Sequence, residues 1–328
     1  MATALYPLRK FQVGFESTSG TAVAATEQLV GEAVYTPEIE REFEEYPRGV
    51  RAPVTGGGVA KSKGSMFAFS GNLSYEEILY PLATGIEAPA LTGAGPYVYT
   101  FDPDLTIVPV PKSLTCEYIV DDGSTKHYER EAAFCVCRSF EVGLAFGELA
   151  TMSFELFGRA EQTSTMTAAL TPVTGRTLIP SNLFTVAIDD AWSGLGGTPK
   201  STLVRAASLS VTTGLEPDYT LDGRTDLDFT QLRAGMLDAT LSITMEHNAS
   251  AATEIGKWRT GALRFVRLKA TDGTKIVQFD LAAKYLSPPS FSEDAGTEIA
   301  TMELGLEYDS TGAKAFVATI TNSLAALP

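Results

Sequence analysis

The sequence predicts a mainly β protein built as two tandem β-sandwich or flattened-barrel domains, each carrying one short packed α-helix. Three observations lead there. First, Glu148-Leu149-Ala150-Thr151-Met152 returns as Glu298-Ile299-Ala300-Thr301-Met302, and the same register pairs Asp122-Gly123 with Asp272-Gly273 and Ala132-Ala133 with Ala282-Ala283. Moving on by one residue also aligns Ser139-Phe140 with Ser290-Phe291. Strands resemble one another, but separated matches at one offset are hard to obtain by chance, and a unit of about 150 residues is too long for a solenoid or propeller repeat. Second, period-two alternation of apolar and polar residues dominates the chain. Third, helix signals occur in only two places, one in each half.

The chain is long enough, at 328 residues, for two ordinary domains. The predicted division is 1–165, a linker over 166–200, and 201–328; the linker region holds Pro172, Pro180, Pro199 and the cluster Gly194-Leu195-Gly196-Gly197. Hydrophobic residues at 44% and charged residues at 20% suit a folded protein, not a disordered one. A net charge of −15 argues against a grip on nucleic acid, because neutralising phosphates requires clustered Lys and Arg. It suits a surface that must repel DNA or stay soluble.

From the start, Met1 to Lys10 lacks a basic leader followed by an apolar stretch, so no secretory signal is expected. No apolar run reaches the roughly 18 residues needed to cross a bilayer. The run Glu38, Glu40, Arg41, Glu42, Glu44, Glu45 reads as a charged edge strand, since charge keeps edges from stray pairing. A glycine-rich loop over 46–64 follows, with the cations Arg48, Arg51, Lys61 and Lys63 around Val50. An acidic strip beside a basic loop lets one copy meet the next with complementary charge.

Ser74-Tyr75-Glu76-Glu77 has the capping-box spacing, with Tyr75, Ile78, Leu79 and Leu82 on one face, which predicts a helix of two to three turns ending near Gly85. Residues 87–112, rich in Pro and Gly, read as an inserted loop. Ala150, Met152, Phe154 and Leu156 alternate with Thr151, Ser153 and Glu155; Leu237, Ala239, Leu241, Ile243 and Met245 do the same, as do the residues from Val277 to Tyr285 and from Ala300 to Leu306. Such segments are half-buried antiparallel strands. Ser250 to Arg259, closing at Gly261, predicts the second helix, with Ile255 and Trp258 as its buried side and Gly256 as a weak point.

Motifs of chemistry are missing: no nucleophile elbow, P-loop, dinucleotide fingerprint or zinc framework is present. Gly56-Gly57-Gly58 precedes Lys61 and Lys63, but no helix follows to aim amides at a phosphate. The pairs Asp121-Asp122 and Asp189-Asp190 have turn chemistry. Cys135 and Cys137 lie on one face of a predicted strand and Cys116 leaves the count odd, so reduced cytoplasmic production is expected. No catalytic, cofactor or metal residue is predicted.

Several segments resemble a known family. Gly14-Phe15-Glu16-Ser17-Thr18-Ser19-Gly20-Thr21-Ala22-Val23-Ala24-Ala25-Thr26 is similar to the opening of phage major tail proteins, the tail tube proteins of long-tailed phages. Leu73 to Leu82 resembles that family's helix, Ser113 to Tyr118 the strand after its long loop, and Ser208 to Pro217 with the strand from Leu237 its second-half counterpart. The likeness runs over nearly the whole chain through short motifs. It implies a non-enzymatic subunit whose sheets join edge to edge into a ring, with rings stacked into the tail that DNA traverses without specific binding. Some relatives use six single-domain copies, and relatives with two fused domains use three chains, so the repeat here favours a trimeric pseudo-hexamer over a hexamer. Also implied are other tail proteins as partners, a place in the virion tail, and an inter-ring contact through Arg48, Val50, Arg51, Lys61, Lys63, Glu42, Glu44 and Glu45. Alternatives are the tube of a bacterial secretion or contractile-injection system and, from another class, a β-sandwich carbohydrate-binding or hydrolytic protein.

Overall fold

The computed structural model describes residues 8–43, 49, 51, 58–121, 126–173, 175–200 and 202–328, without the side chain of His127. In chain order the elements are β1 (Lys10–Phe15), β2 (Glu27–Gln28), β3 (Glu32–Glu42), β4 (Val59–Asn72), α1 (Leu79–Gly85), β5 (Ala90–Thr92), β6 (Tyr97–Phe101), β7 (Leu114–Asp121), β8 (Lys126–Ala145) and β9 (Thr151–Gly158). They continue as β10 (Phe184–Asp189), β11 (Val204–Thr212), β12 (Leu215–Asp218), β13 (Gln231–Ala234), β14 (Asp238–Glu246), α2 (Ala249–Thr260), β15 (Arg264–Asp272), β16 (Lys275–Tyr285), β17 (Ser290–Asp294), β18 (Thr297–Leu306) and β19 (Phe316–Asn322). The chain is mainly β, and its named strand pairs are antiparallel.

Pairings recur between the halves. β1 pairs with β7 as β10 pairs with β15, and β3 with β4 as β11 with β14. β4 meets β9 as β14 meets β18, and β7 meets β8 as β15 meets β16. The strand β10 lies in the stretch read from sequence as linker. Residues 87–112, read as a loop, carry β5 and β6, and β6 pairs with β19 through Phe101 opposite Ala318. Punctuation by Pro and Gly hid these short strands.

Alternation puts Phe67 and Phe69 of β4, Phe154 of β9, Leu209 of β11, Leu241 of β14 and Phe279 of β16 into one contiguous core. Strand β8 serves two sheets. Its first part pairs with β7 and its second with β9, and at the turning point two residues, Ala133 and Phe134, oppose Thr115 alone. This bulge places Phe134 at φ 56°, a left-handed value that a non-glycine residue adopts only when its surroundings hold it. Glu16 does so: its buried carboxylate accepts from the Phe134 amide at 2.8 Å, the Gly20 amide at 2.6 Å, Ser113 Oγ at 2.6 Å and Thr115 Oγ1 at 3.0 Å. Glu16→Ala strips four donors of their acceptor and is expected to cost about 3 kcal/mol. A denaturant midpoint equal to that of the parent protein would refute this role.

The helices follow their signals in part. The Glu77 amide donates to Ser74 Oγ at 3.0 Å, and α1 ends at Gly85 as expected. The box closes the turn before the helix and does not cap it, since α1 begins at Leu79 with Ile78 at its N-cap and no side-chain cap; the buried Glu77 carboxylate accepts from Ser74 Oγ at 3.0 Å and from Arg176 Nε at 2.6 Å. Asn248 caps α2 by accepting from the Ser250 and Ala251 amides, and Gly261 closes it at φ 63°. The buried side is not the expected one. Ala251 and Glu254 are buried, whereas Ile255 and Trp258 are half-buried, because Glu254 serves as the anion for Arg264. The three cysteines are buried thiols, and burial pushes those of Cys116 and Cys137 up.

Candidate assembly surface

One continuous sheet crosses the chain in the order β3, β4, β9, β8, β11, β14, β18, β17. Its centre is the antiparallel seam between β8 and β11, where Val142 faces Leu209 and Glu141 faces Ser210. Along each strand apolar residues enter the core, so the alternate residues form the opposite, uncovered face.

That face is hydroxylic and acidic. It presents Ser153 and Glu155 from β9, Ser139 and Glu141 from β8, Ser208 and Ser210 from β11, Ser242 and Thr244 from β14, and Thr301 and Glu303 from β18. Ser208 Oγ donates to Glu141 at 2.7 Å across the seam, and the Thr244 and Thr301 hydroxyls meet at 2.9 Å. Cations sit at its two ends. Arg205 bridges Glu246 at 3.0 Å and Asp294 at 2.6 Å, while Arg138 lies at the other end over the Phe157 ring. A surface of this make-up offers a polyanion no cluster of positive charge to hold.

Both outer strands are open margins. Among the described residues β3 is paired only with β4, and β17 only with β18. β17 is exposed throughout, and in β3 only Ala33 and Tyr35 are half-buried. Tyr35 anchors β3 from behind, donating to Glu161 at 2.5 Å; burial and that carboxylate both push its hydroxyl up. Both margins carry acids, Glu32, Glu38, Glu40 and Glu42 on one and Glu293 and Asp294 on the other, which discourages indiscriminate pairing.

The residues predicted for inter-ring contact divide between described and undescribed positions. Arg48, Val50, Glu44 and Glu45 lie outside the described residues. Arg51 is exposed, Glu42 ends β3, and Lys61 and Lys63 belong to β4. Lys61 approaches Glu40 at 2.8 Å and Glu42 at 3.7 Å within the same hairpin. The hydrogen bond to the Lys61 ammonium holds the Glu40 carboxyl below its ordinary range, and the same contact holds Lys61 up.

A second hairpin, β12–β13, went unrecognised in the sequence. Its tip, 219–230, folds back over the first half of the chain. The Lys63 amide donates to Leu227 O at 2.9 Å, and Tyr219 reaches Lys63 O at 3.5 Å. Phe229 is buried against Phe134 and Phe157, and Arg159 donates to the carbonyls of Phe229 and Thr230 at 3.2 Å each. The available signal was Gly214-Leu215-Glu216-Pro217 followed by an isolated Phe, which reads only as a turn.

The arrangement thus combines an uncovered polar sheet face with two unlike open margins. No curated protein matches the sequence. A family model described as phage tail tube protein matches residues 8–310, nearly the whole length. The chain therefore belongs to the phage tail tube protein family, with a structural role in the virion tail.

Proposed function

We propose that this chain is the repeating subunit of a tail tube, closing with sister copies into rings that stack into the channel through which DNA passes. The eight-strand sheet with two open margins carries the reading. We take 1–165 and 201–328 as two similar units joined through 166–200; the recurrence of the strand pairings supports two units, and β10, serving the second as β1 serves the first, extends it back into the joining stretch. Three chains, each supplying two units, then give a pseudo-sixfold ring. The hydroxylic, acidic face lines the bore, where its charge keeps DNA from sticking. Extended margins pair between copies by β-augmentation.

Stacking is assigned to the loop over 46–64, with Arg48, Val50, Arg51, Lys61 and Lys63 facing acids such as Glu42, Glu44 and Glu45 of the adjacent ring. Because Lys61 and Lys63 are built into β4, the test removes residues 50–57 only and spares that strand. The shortened protein should fold with an unchanged thermal midpoint and form no tubes by negative-stain microscopy. Tubes of full length would remove the loop from stacking, and monomers of the intact chain at all concentrations would end the tube reading itself.

A further inference from the structure

A groove of about 560 Å³ lies between the second half and the 103–109 segment, lined by Ile86, Leu105, Ile107, Met236, Leu306 and Tyr308. Register identifies its counterpart in the first half. Ser70 faces Ser153 and Glu32, while Ser242 faces Glu303 and Ser208. Since Ser153 and Glu303 stand at equal places in the repeat, Ser70 corresponds to Ser242 and Glu32 to Ser208. Counting outward along the same strands, Gly64 corresponds to Met236, Leu156 to Leu306, Gly158 to Tyr308, and Phe43 to Tyr219.

The first-half position is filled. The Tyr219 hydroxyl lies 3.6 Å from where a Cβ on Gly64 would stand, and the Gly158 carbonyl lies 3.4 Å from the same point. The tip of β12–β13 thus occupies on the first half the place that the groove occupies on the second. The hairpin equivalent to β12–β13 is β3–β4. Within one chain its Phe43 is 62% exposed and its Val59 69% exposed, while Met236 and Tyr308 in the groove are 88% and 46% exposed.

We infer that the groove beside Met236 and Tyr308 receives the β3–β4 hairpin of a second copy, with Phe43 seated where Tyr219 sits in the filled counterpart. This rests on the proposed ring and deepens it: the hairpin base makes a side-to-side contact, distinct from the stacking contact assigned to its loop. The occupant is a sister chain because the same seam is already made once inside each chain, between β8 and β11. Repeating that step carries β3 of the next copy to β17 and its hairpin to the groove. Burial of an aromatic ring and a thioether between copies favours the contact through lost apolar exposure.

Pairing Phe43→Cys with Met236→Cys tests the inference, since the native cysteines are buried. Treating the assembled double variant with a bismaleimide of about 10 Å reach, because a ring's length separates the two backbones and a disulfide cannot span it, should give a ladder of cross-linked chains on denaturing gels, absent from either single variant. Met236→Glu, at a position too exposed to disturb folding, should raise the concentration needed for assembly at least tenfold with an unchanged thermal midpoint. Tubes that form without the ladder, or a Met236→Glu protein that assembles like the parent, overturn the groove assignment and leave the tube standing. Failure of the unsubstituted chain to self-associate overturns both.

Discussion

Arg264→Ala is expected to destabilise the folded chain by about 3–5 kcal/mol, because it leaves a buried carboxylate without its cation. Glu254 and Arg264 have side chains 1% and 4% exposed, and they meet in a two-pronged contact, Nε to Oε2 at 2.9 Å and Nη2 to Oε1 at 3.0 Å. Lys200 stands 3.5 Å from Glu254, too far to replace a forked pair, and Tyr285 donates to it at 2.9 Å. The outer side of Arg264 contacts Asp190, which Lys257 also holds at 2.6 Å. Since α2 supplies Glu254 and β15 supplies Arg264, the pair fastens helix to sheet. The urea midpoint of Arg264→Ala should fall well below that of the parent. Glu254→Gln combined with Arg264→Met, which buries no charge, should recover most of the loss; a single variant within about 1 kcal/mol of the parent would dismiss the argument.

Phe229→Ala carries the second large effect, about 3–5 kcal/mol for emptying an aromatic site. The ring is 1% exposed, with centroids of Phe134 at 5.1 Å and Phe157 at 5.8 Å and the Arg159 guanidinium 5.8 Å above it. Beyond Val136, Phe157 and Leu215, this small cluster has few members, so removal of its centre frees the whole 219–230 tip. The expected signature is local as well as global: protease should cut within 219–230 much faster than in the parent, while cleavage elsewhere is unchanged. Equal cutting rates would show that the Lys63 amide and the Arg159 guanidinium hold the tip without the ring.

Local signals carried much of the fold. Alternation from Ala150 to Leu156 and from Leu237 to Met245 marked β9 and β14, since each buries one face; Gly261 marked the end of α2, where the backbone turns left-handed. Long-range choices were not written locally. That β8 changes partners at Phe134 depends on Glu16, more than a hundred residues upstream. Glu254 reads as a surface residue of a helix until Arg264 is seen beside it. Of the candidate assembly surface, the acids of the β3 margin were legible as charge, whereas the hydroxylic face was hidden in the polar half of ordinary strands. Only the sheet order shows that these half-strands lie side by side.

The two free margins are unlike, and this gives the subunit a direction. A two-fold dimer that pairs like margins would leave the other kind bare on each partner. In the proposed ring, head-to-tail addition uses both, and every unfinished arc keeps one acceptor and one donor end, however many copies it holds. Whether such an arc closes or spirals is then set by the rotation between successive copies.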